Sequence, residues 1–336
     1  MTEFVAALDG GGTKTLGAYA TRAGDVTYTR ATSGCNAQDN AEWRIGLDAA
    51  LAQFPQFSHA TLGLPGYGEI ASLDGLLRRH VDAYFGLTSP SSTMTLLNDV
   101  ELAYRGAFPA GGGVLVLAGT GSMAMTSDSA SIIRTGGWGD LFGDEGSAFW
   151  IGRLGLQLAS QMRDGRLQDT GFADRLSAKL GIGQDDGFFG LGAWAIGQQH
   201  SRSAIANVSM YINALSDEGD VTAQAVLDAA AAQLALHVTA VARLARLPAT
   251  FDWAHAGSAF RSHRLLDAVT QNLGKPSIPR QFDALGGGLW LAAQAAGWQV
   301  DTVWADRIRQ GLDQKATDWG APAMPSRKSV CSMPEG

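Results

Sequence analysis

Three short glycine-rich turns, each placed after an apolar strand-like run, are the parts of this chain best suited to chemistry. They span residues 9–15 (DGGGTKT), 117–122 (LAGTGS) and 256–260 (AGSAF). Glycine lets the backbone adopt positive φ and approach an anion closely, so N–H groups can point at phosphate oxygens while Asp9 faces the accompanying metal. One such turn could be an ordinary hairpin without a ligand. Three in order indicate a phosphate-binding site with a metal at Asp9.

Asp99 is the candidate general base. It comes two residues after the predicted strand 94–97, where side chains project from the sheet edge, and the adjacent Asn98 could bind a substrate or fix the carboxylate. Asp is also a favoured N-cap, and a helix is expected to begin at Val100. Catalysis and capping therefore both remain open for Asp99.

Residues 136–147 (GGWGDLFGDEGS) form a loop rich in glycine and carboxylates before a predicted helix. Its glycines admit close approach of a ligand, while Asp144 and Glu145 offer acceptors for sugar hydroxyls or for water on a metal. Capping of the following helix is the alternative role of Asp144, and the two roles could coexist. In the loop 33–36, Asn36 can donate and accept, which suits a hydroxyl or acetamido group, although a turn-forming role is also open.

The elements that must position these residues repeat along the chain. In the first half, strands are expected at 4–8, 15–21, 25–31, 60–64 and 94–97, with helices at 41–54 and 73–84. After the breaker 109–113, strands are expected at 114–117, 122–126, 132–135 and 251–255 among long helices. The repeated glycine turn between paired strands predicts two related α/β domains around a cleft. We expect a sugar/phosphate domain (1–109), a nucleotide-binding domain (110–320) and a disordered tail (321–336).

Composition narrows the possible partners. A net charge of −7 without a cluster of Lys and Arg argues against nucleic acid. The two cysteines, Cys35 and Cys331, are too few for a disulfide framework or a cysteine-rich metal site, which suits a reducing cytoplasm. No signal peptide and no run of membrane-span length are apparent, so no membrane partner is expected.

Together these motifs resemble those of the superfamily of sugar kinases, heat-shock chaperone ATPases and actin. Within it they resemble the N-acetylglucosamine kinase-like group, the BadF/BadG/BcrA/BcrD ATPase family. The most specific part is the loop 136–147, with GWG at residues 137–139 and GDEGS at 143–147. The resemblance covers nearly everything before residue 321. It implies an α/β protein of two related ribonuclease H-like (actin-like ATPase) domains, each with a mixed five-stranded sheet and helices, around an interdomain cleft.

The resemblance also implies residue roles. Asp99 would be the general base on a sugar 6-hydroxyl, and Asp9 would hold Mg²⁺ through water. The nucleotide and its phosphates would be bound by Gly11, Gly12, Thr13, Lys14, Thr120, Gly121, Gly257 and Ser258. The pocket for the amino sugar would be lined by Asn36, Gly66, Asp99, Thr120, Gly121, Gly137 and Asp144.

We therefore expect an ATP- and Mg²⁺-dependent kinase, a cytoplasmic homodimer that phosphorylates the 6-hydroxyl of a small amino sugar. N-acetylglucosamine is the first candidate, with glucosamine or a muramyl sugar as alternatives. A non-catalytic nucleotide- and sugar-binding module is the competing class, and the intact Asp9, Asp99 and Thr120 favour the enzyme. The cluster-binding cysteines of the related 2-hydroxyacyl-CoA dehydratase activators are missing, as are the zinc cysteines and basic helix-turn-helix of the ROK family.

Overall fold

The computed structural model describes residues 3–318 apart from 12–13, 32, 39, 89–92, 128–131, 184–185 and 199–200. The chain divides into two compact units. Unit 1 comprises Met1–Gly111 and Pro279–Gly336, and unit 2 comprises Gly112–Ile278. The tail expected from residue 321 onward lies outside the described residues.

The secondary structure follows the predicted alternation. The strands are β1 (Phe4–Gly10), β2 (Thr15–Thr21), β3 (Val26–Ala31), β4 (His59–Gly63), β5 (Thr93–Leu97), β6 (Gly113–Ala118), β7 (Ser122–Ser127), β8 (Ile132–Gly136) and β9 (Asp252–Ala256). The helices are α1 (Trp43–Leu51), α2 (Ala71–Thr88), α3 (Asp99–Ala107), α4 (Ala148–Arg163), α5 (Phe172–Lys179), α6 (Gly190–Ile196), α7 (Ser201–Asp217), α8 (Val221–Leu244), α9 (His263–Leu273), α10 (Ala284–Ala295) and α11 (Thr302–Asp318). The predicted strands are confirmed to within two residues at each end. Sequence patterning did not predict α5 and α11.

The sheet of unit 1 has the strand order β3-β2-β1-β4-β5. Strands β1, β2 and β3 form an antiparallel meander, whereas β1, β4 and β5 run parallel. In the register of these parallel strands, Asp9 of β1 lies opposite Gly63 of β4, and Gly63 lies opposite Leu97 of β5. Because parallel strands end at one edge of a sheet, the residues at the ends of β1, β4 and β5 are brought together there.

Strand β1 is buried on both faces. Alternate side chains point to opposite faces of a strand, and here Ala6 and Leu8 join the core that includes side chains of α1 and α2. Val5 and Ala7 join the core that includes side chains of α10 and α11. This two-sided burial explains why the strand reads as a continuous apolar run.

Helix α10 brings the end of the chain back to unit 1. A Cβ at Gly287 would lie 2.4 Å from Cα of Gly106 in α3, and one at Gly288 would lie 2.7 Å from Cβ of Ala7 in β1. Only glycine permits this close approach, and Leu285 and Leu289 are buried beside it. Residues from 279 onward, expected in the second domain, therefore belong to unit 1.

The sheet of unit 2 has the order β8-β7-β6-β9, with β6 and β9 parallel and the other pairs antiparallel. Within the described residues it has four strands, where five were expected. After α9 the chain runs beside β9, but Pro276 and Pro279 carry no N–H to donate. The N–H of Ile278 does donate to the carbonyl of Trp253 at 2.8 Å. This segment therefore makes a backbone hydrogen bond to β9 without forming a strand.

Helix α8 corrects one expectation from the sequence. By length and apolar composition it could cross a membrane, although no run of that length was anticipated. Its N-cap is Asp220, whose side chain accepts from the N–H groups of Thr222 and Ala223. Half of the most apolar 18-residue stretch of this helix is buried in the protein, and Leu234 and Val238 belong to the core of unit 2. The composition is thus that of a buried core helix.

The contact between α4 and α7 provides a test of the packing in unit 2. A Cβ at Gly152 would lie 1.9 Å from the carbonyl oxygen of Ile205. We expect Gly152→Ala to lower the free energy of unfolding by roughly 1–3 kcal/mol, because the helices must separate. The matched control is Gly192→Ala in α6, where no described heavy atom lies within 4 Å and a gain of up to about 1 kcal/mol is expected. Urea unfolding measures both, and equal effects would contradict this packing.

Candidate active site

Two carboxylates meet at the edge of the unit 1 sheet. Asp9 is the penultimate residue of β1, and Asp99 is the first residue of α3, two positions after β5 ends. Strand β4 lies between β1 and β5 and ends in Gly63, where a Cβ would lie 3.3 Å from Cα of Asp99. The structure thus brings together the two acidic residues to which the sequence assigned metal binding and base catalysis.

Both carboxylates have raised pKa values. The pKa of Asp9 is raised to about 7, first by burial and then by the negative charges of Asp99 and Asp283, while the charge of Lys14 opposes the shift. The pKa of Asp99 is raised to about 6 by burial and, to a smaller extent, by the charge of Glu69, while hydrogen bonding from the N–H of Val100 opposes the shift. A carboxylate with a pKa near neutrality can exchange a proton at neutral pH, as a general base must.

The N-cap of α3 is Asn98 and not Asp99. Asn98 has an extended backbone, and its Oδ1 accepts from the N–H of Val100 at 2.9 Å. Its Nδ2 donates to the carbonyl of Tyr67 at 3.1 Å, which fixes the amide in place. The capping role left open for Asp99 is therefore filled by its neighbour, and the Asp99 carboxylate sits beside the helix start.

Asp283 is a third carboxylate, which the sequence analysis missed. It is the N-cap of α10, and its Oδ1 accepts from the N–H of Gly286 at 2.8 Å. Burial raises its pKa, and its charge contributes to the raised pKa of Asp9. The available signal was an Asp three residues before the Gly286-Gly287-Gly288 run, a spacing typical of an N-cap.

The chemistry of this acidic cluster fits a hard cation such as Mg²⁺. Mg²⁺ prefers oxygen ligands, keeps several waters, and is usually held by one or two carboxylates together with substrate phosphates. Within the described ranges no group of three or more His, Cys, Asp or Glu side chains is arranged to enclose a metal. Asp9 offers a carboxylate of the kind that Mg²⁺ prefers, so the residues present fit such an ion.

The loops next to Asp9 gather the remaining predicted residues of unit 1. The carbonyl of Gly11 accepts from the N–H of Cys35 at 3.0 Å, and a Cβ at Gly66 would lie 2.4 Å from Nε2 of Gln38. Asn36 Oδ1 accepts from the N–H of Gln38 at 3.0 Å, so Asn36 does shape a turn. Gly11, Asn36 and Gly66 therefore lie on adjoining loops. Lys14 follows on the exposed surface, and Gly12 and Thr13 lie outside the described residues.

In unit 2, the turn 119–122 and the loop 136–147 are joined by hydrogen bonds. The N–H of Gly137 donates to the carbonyl of Ser122 at 2.9 Å, and the N–H of Ala148 donates to the carbonyl of Gly119 at 2.8 Å. Ser122 Oγ donates to the carbonyl of Glu145 at 2.7 Å. The predicted phosphate turn and the predicted sugar loop thus behave as one hydrogen-bonded body.

Asp144 is at the centre of that body. Its Oδ1 accepts from the N–H of Ser122 at 3.2 Å, and its Oδ2 pairs with Nη2 of Arg202 at 2.6 Å. A Cβ at Gly121 would lie 2.7 Å from Oδ1, so the turn and the carboxylate are in close contact. The N-cap of α4 is Ser147, so the capping role considered for Asp144 is excluded.

The third glycine turn meets the second in the same unit. Gly257 has a φ of 107°, and a Cβ there would lie 2.2 Å from the carbonyl oxygen of Ala118. Next to this contact is a cavity of about 360 Å³, lined by Thr120 and Ser258 among others. This volume lies within the usual range for small-molecule pockets, roughly 300–1,000 Å³. The cavity is therefore large enough to take part of a nucleotide.

The predicted site residues fall into two local groups. Unit 1 brings together Asp9, Gly11, Asn36, Gly66 and Asp99. Unit 2 brings together Thr120, Gly121, Gly137, Asp144, Gly257 and Ser258. Sequence reasoning missed Asp283 in the first group and Arg202 in the second.

The mixed sheets, each opened by an antiparallel meander and extended by parallel strands (β4 and β5 in unit 1, β9 in unit 2), define an α/β protein of the actin-like ATPase fold. The chain belongs to the BadF/BadG/BcrA/BcrD ATPase family, whose sequence profile matches residues 8–283.

Individual relatives refine this picture. An N-acetylmuramic acid/N-acetylglucosamine kinase of Clostridium acetobutylicum is 28% identical over 147 residues, which is 44% of this chain and 47% of that kinase. A solved candidate N-acetylglucosamine kinase from Chromobacterium violaceum has a TM-score of 0.65 at 22% identity, over 87% of this chain and 99% of its own. A ROK family glucokinase from Streptomyces griseus has a TM-score of 0.54 at 15% identity, over 87% of this chain and 99% of the glucokinase. The two structural likenesses establish the fold alone.

The raised pKa of Asp9 generates a prediction about stability. An unfolded Asp has a pKa of about 3.9, so ionised Asp9 destabilises the folded state increasingly as the pH rises from there through about 7. In metal-free buffer, we expect Asp9→Asn to raise the free energy of unfolding by roughly 2–4 kcal/mol at pH 8, and by much less at pH 5. Chemical denaturation at both pH values is the measurement. The control is Asp82→Asn, an exposed carboxylate on α2, and a pH-independent effect of Asp9→Asn would contradict the assignment.

Proposed function

We propose that this chain is an ATP-dependent kinase that transfers the γ-phosphoryl group to the 6-hydroxyl of an N-acetylhexosamine in the cytoplasm. N-acetylglucosamine is the proposed acceptor, with glucosamine and muramyl sugars as alternatives. The observation that carries the proposal is the juxtaposition of Asp9 and Asp99, both with raised pKa, at the carboxyl edge of one parallel sheet segment.

Asp99 would accept the proton of the sugar hydroxyl. Phosphoryl transfer needs a carboxylate that orients and deprotonates the acceptor, and a pKa of about 6 leaves Asp99 ionised yet basic enough at neutral pH. Asn98, fixed by Tyr67, holds the start of α3 and hence the position of Asp99. Asp9, with Asp283 beside it, would hold Mg²⁺ through water, and the ion would neutralise phosphate charge when bound.

Unit 2 would bind the nucleotide. The turn 119–122 offers backbone groups to phosphate, as glycine-rich turns do, and the cavity lined by Thr120 and Ser258 would take the nucleoside. The loop 136–147, joined to this turn, would reach the sugar through Gly137 and Asp144. The family's description as ATPases supports the choice of nucleotide.

The choice of sugar rests on similarity. The Clostridium acetobutylicum relative is named for both N-acetylmuramic acid and N-acetylglucosamine, and the matched segment covers less than half of either chain. An N-acetylated hexosamine is therefore better supported as acceptor than a neutral hexose. The expected homodimer stays a prediction.

Replacement of the proposed base is the direct test. We expect Asp99→Asn to lower kcat by at least about two orders of magnitude, because the amide cannot accept the hydroxyl proton, while sugar and ATP affinities change only a few-fold. Glu101→Gln is the control, since Glu101 lies in the same helical turn and pairs with Arg105. Turnover of Asp99→Asn close to wild type would exclude the base assignment.

A sugar panel tests the proposed acceptor. With ATP and Mg²⁺, we expect kcat/KM for N-acetylglucosamine to exceed that for glucosamine and glucose by at least about tenfold, because an acetamido-binding pocket loses contacts with the others. N-acetylmuramate completes the panel, and NMR of the product identifies the phosphorylated oxygen. Binding of nucleotide without phosphorylation of any sugar would favour the non-catalytic binding module instead.

A further inference from the structure

Arg202, near the start of α7, forms an ion pair that the proposed reaction does not explain. Its Nη2 lies 2.6 Å from Oδ2 of Asp144, and its Nε lies 3.5 Å from Oδ1 of Asp140. The Arg202 side chain is 44% exposed, whereas that of Asp144 is only 3% exposed. A buried carboxylate is thus paired with a cation that still reaches solvent.

Asp144 combines an uncommon backbone conformation with a carboxylate that is held on both oxygens. Asp144 has a φ of 58°, a left-handed conformation that is uncommon for residues other than glycine. Such conformations persist where surrounding interactions over-determine them. Here both carboxylate oxygens are engaged, Oδ1 by the N–H of Ser122 and Oδ2 by Arg202. Asp144 therefore ties the turn 119–122 and the loop 136–147 to α7.

Helix α7 also forms a wall of the cavity. Ser203, Ala206 and Met210, which follow Arg202 on the helix, line the cavity together with Thr120 of the turn. One helix thus contacts the loop through Arg202 and the cavity through its next turns. An occupant of the cavity would touch both α7 and the turn that Asp144 holds.

We propose that Arg202 is a positioning residue that couples nucleotide occupancy of this cavity to the order of the loop 136–147. The inference rests on the proposed function only in taking the cavity as the nucleotide site. Nucleotide would fix α7 and Thr120 relative to each other, and Arg202 would pass this constraint to Asp144. Without Arg202 the buried carboxylate is left unpaired, which is strongly unfavourable, so the loop is released from α7.

Hydrogen exchange on the full chain, with and without a non-hydrolysable ATP analogue, tests this coupling. In the wild type we expect the analogue to slow exchange at least about tenfold in peptides covering 136–147, as well as at 258–262 beside the cavity. In Arg202→Met the slowing at 136–147 should fall below about twofold, while that at 258–262 persists. Arg202→Lys retains the charge and should keep an intermediate response.

Arg175 supplies a matched control. Its Nε donates to Oδ2 of Asp220 at 3.0 Å, and the pair has nearly the same exposures, 47% and 2%, but it lies at the start of α8 rather than at the loop. Arg175→Met should respond to the analogue as the wild type does.

Several results would overturn the proposal. An undiminished response of 136–147 in Arg202→Met would show that the ion pair carries no coupling. An equal loss in Arg202→Met and Arg175→Met would reduce it to general destabilisation. If the wild type showed no slowing at 258–262, the cavity would not be the nucleotide site, and this part of the proposed function would fail together with the coupling. Slowing at 258–262 without slowing at 136–147 would reject the coupling and leave the proposed function intact.

Discussion

Burial of three carboxylates, Asp9, Asp99 and Asp283, is the constraint on which the candidate site of unit 1 depends. Asp9 and Asp99 are placed at one edge by the register of parallel strands, and Asp283 is added by a helix from the far end of the chain. Each carboxylate loses hydration there, and the negative charges of Asp99 and Asp283 make ionisation of Asp9 still less favourable. A fold that keeps such a cluster gives up stability at neutral pH, which is typical of sites arranged to receive a cation and a proton.

The two units position their predicted site residues by different means. Unit 1 relies on side-chain charge, held at the ends of β1 and β5 and at the cap of α10. Unit 2 relies on backbone, since Gly121 can lie against Asp144 and Gly257 against the Ala118 carbonyl only because they lack side chains. Asp144 is the exception there, because its carboxylate accepts from the N–H of Ser122 and pairs with Arg202. The chemistry available to each unit follows from this division.

Local patterns in the sequence predict much of this structure, and long-range contacts account for the rest. Alternating and continuous apolar runs located the strands, and the glycine turns located most of the residues that the units bring together. The return of α10 to β1 was missed because it depends on packing of Gly287 against Gly106 and of Gly288 against Ala7, which lie 181 and 281 positions earlier. The same holds for the pairing of Arg202 with Asp144 and for the influence of Asp283 on Asp9, whereas the N-cap role of Asp283 could have been predicted from local spacing. Helix α11 could have been found, since Trp304, Ala305, Ile308 and Leu312 are buried at helical spacing.

The discontinuous make-up of unit 1 has a consequence for synthesis on the ribosome. Unit 2 is one continuous segment, Gly112–Ile278, and can fold as soon as it has emerged. The first 111 residues have emerged earlier but lack α10, the helix that covers one face of β1 and supplies Asp283. The nascent part of unit 1 therefore keeps an apolar face of its sheet exposed until α10 has been synthesised. A chain that ends prematurely after unit 2 would leave that face uncovered, which makes such fragments targets for chaperones and proteases.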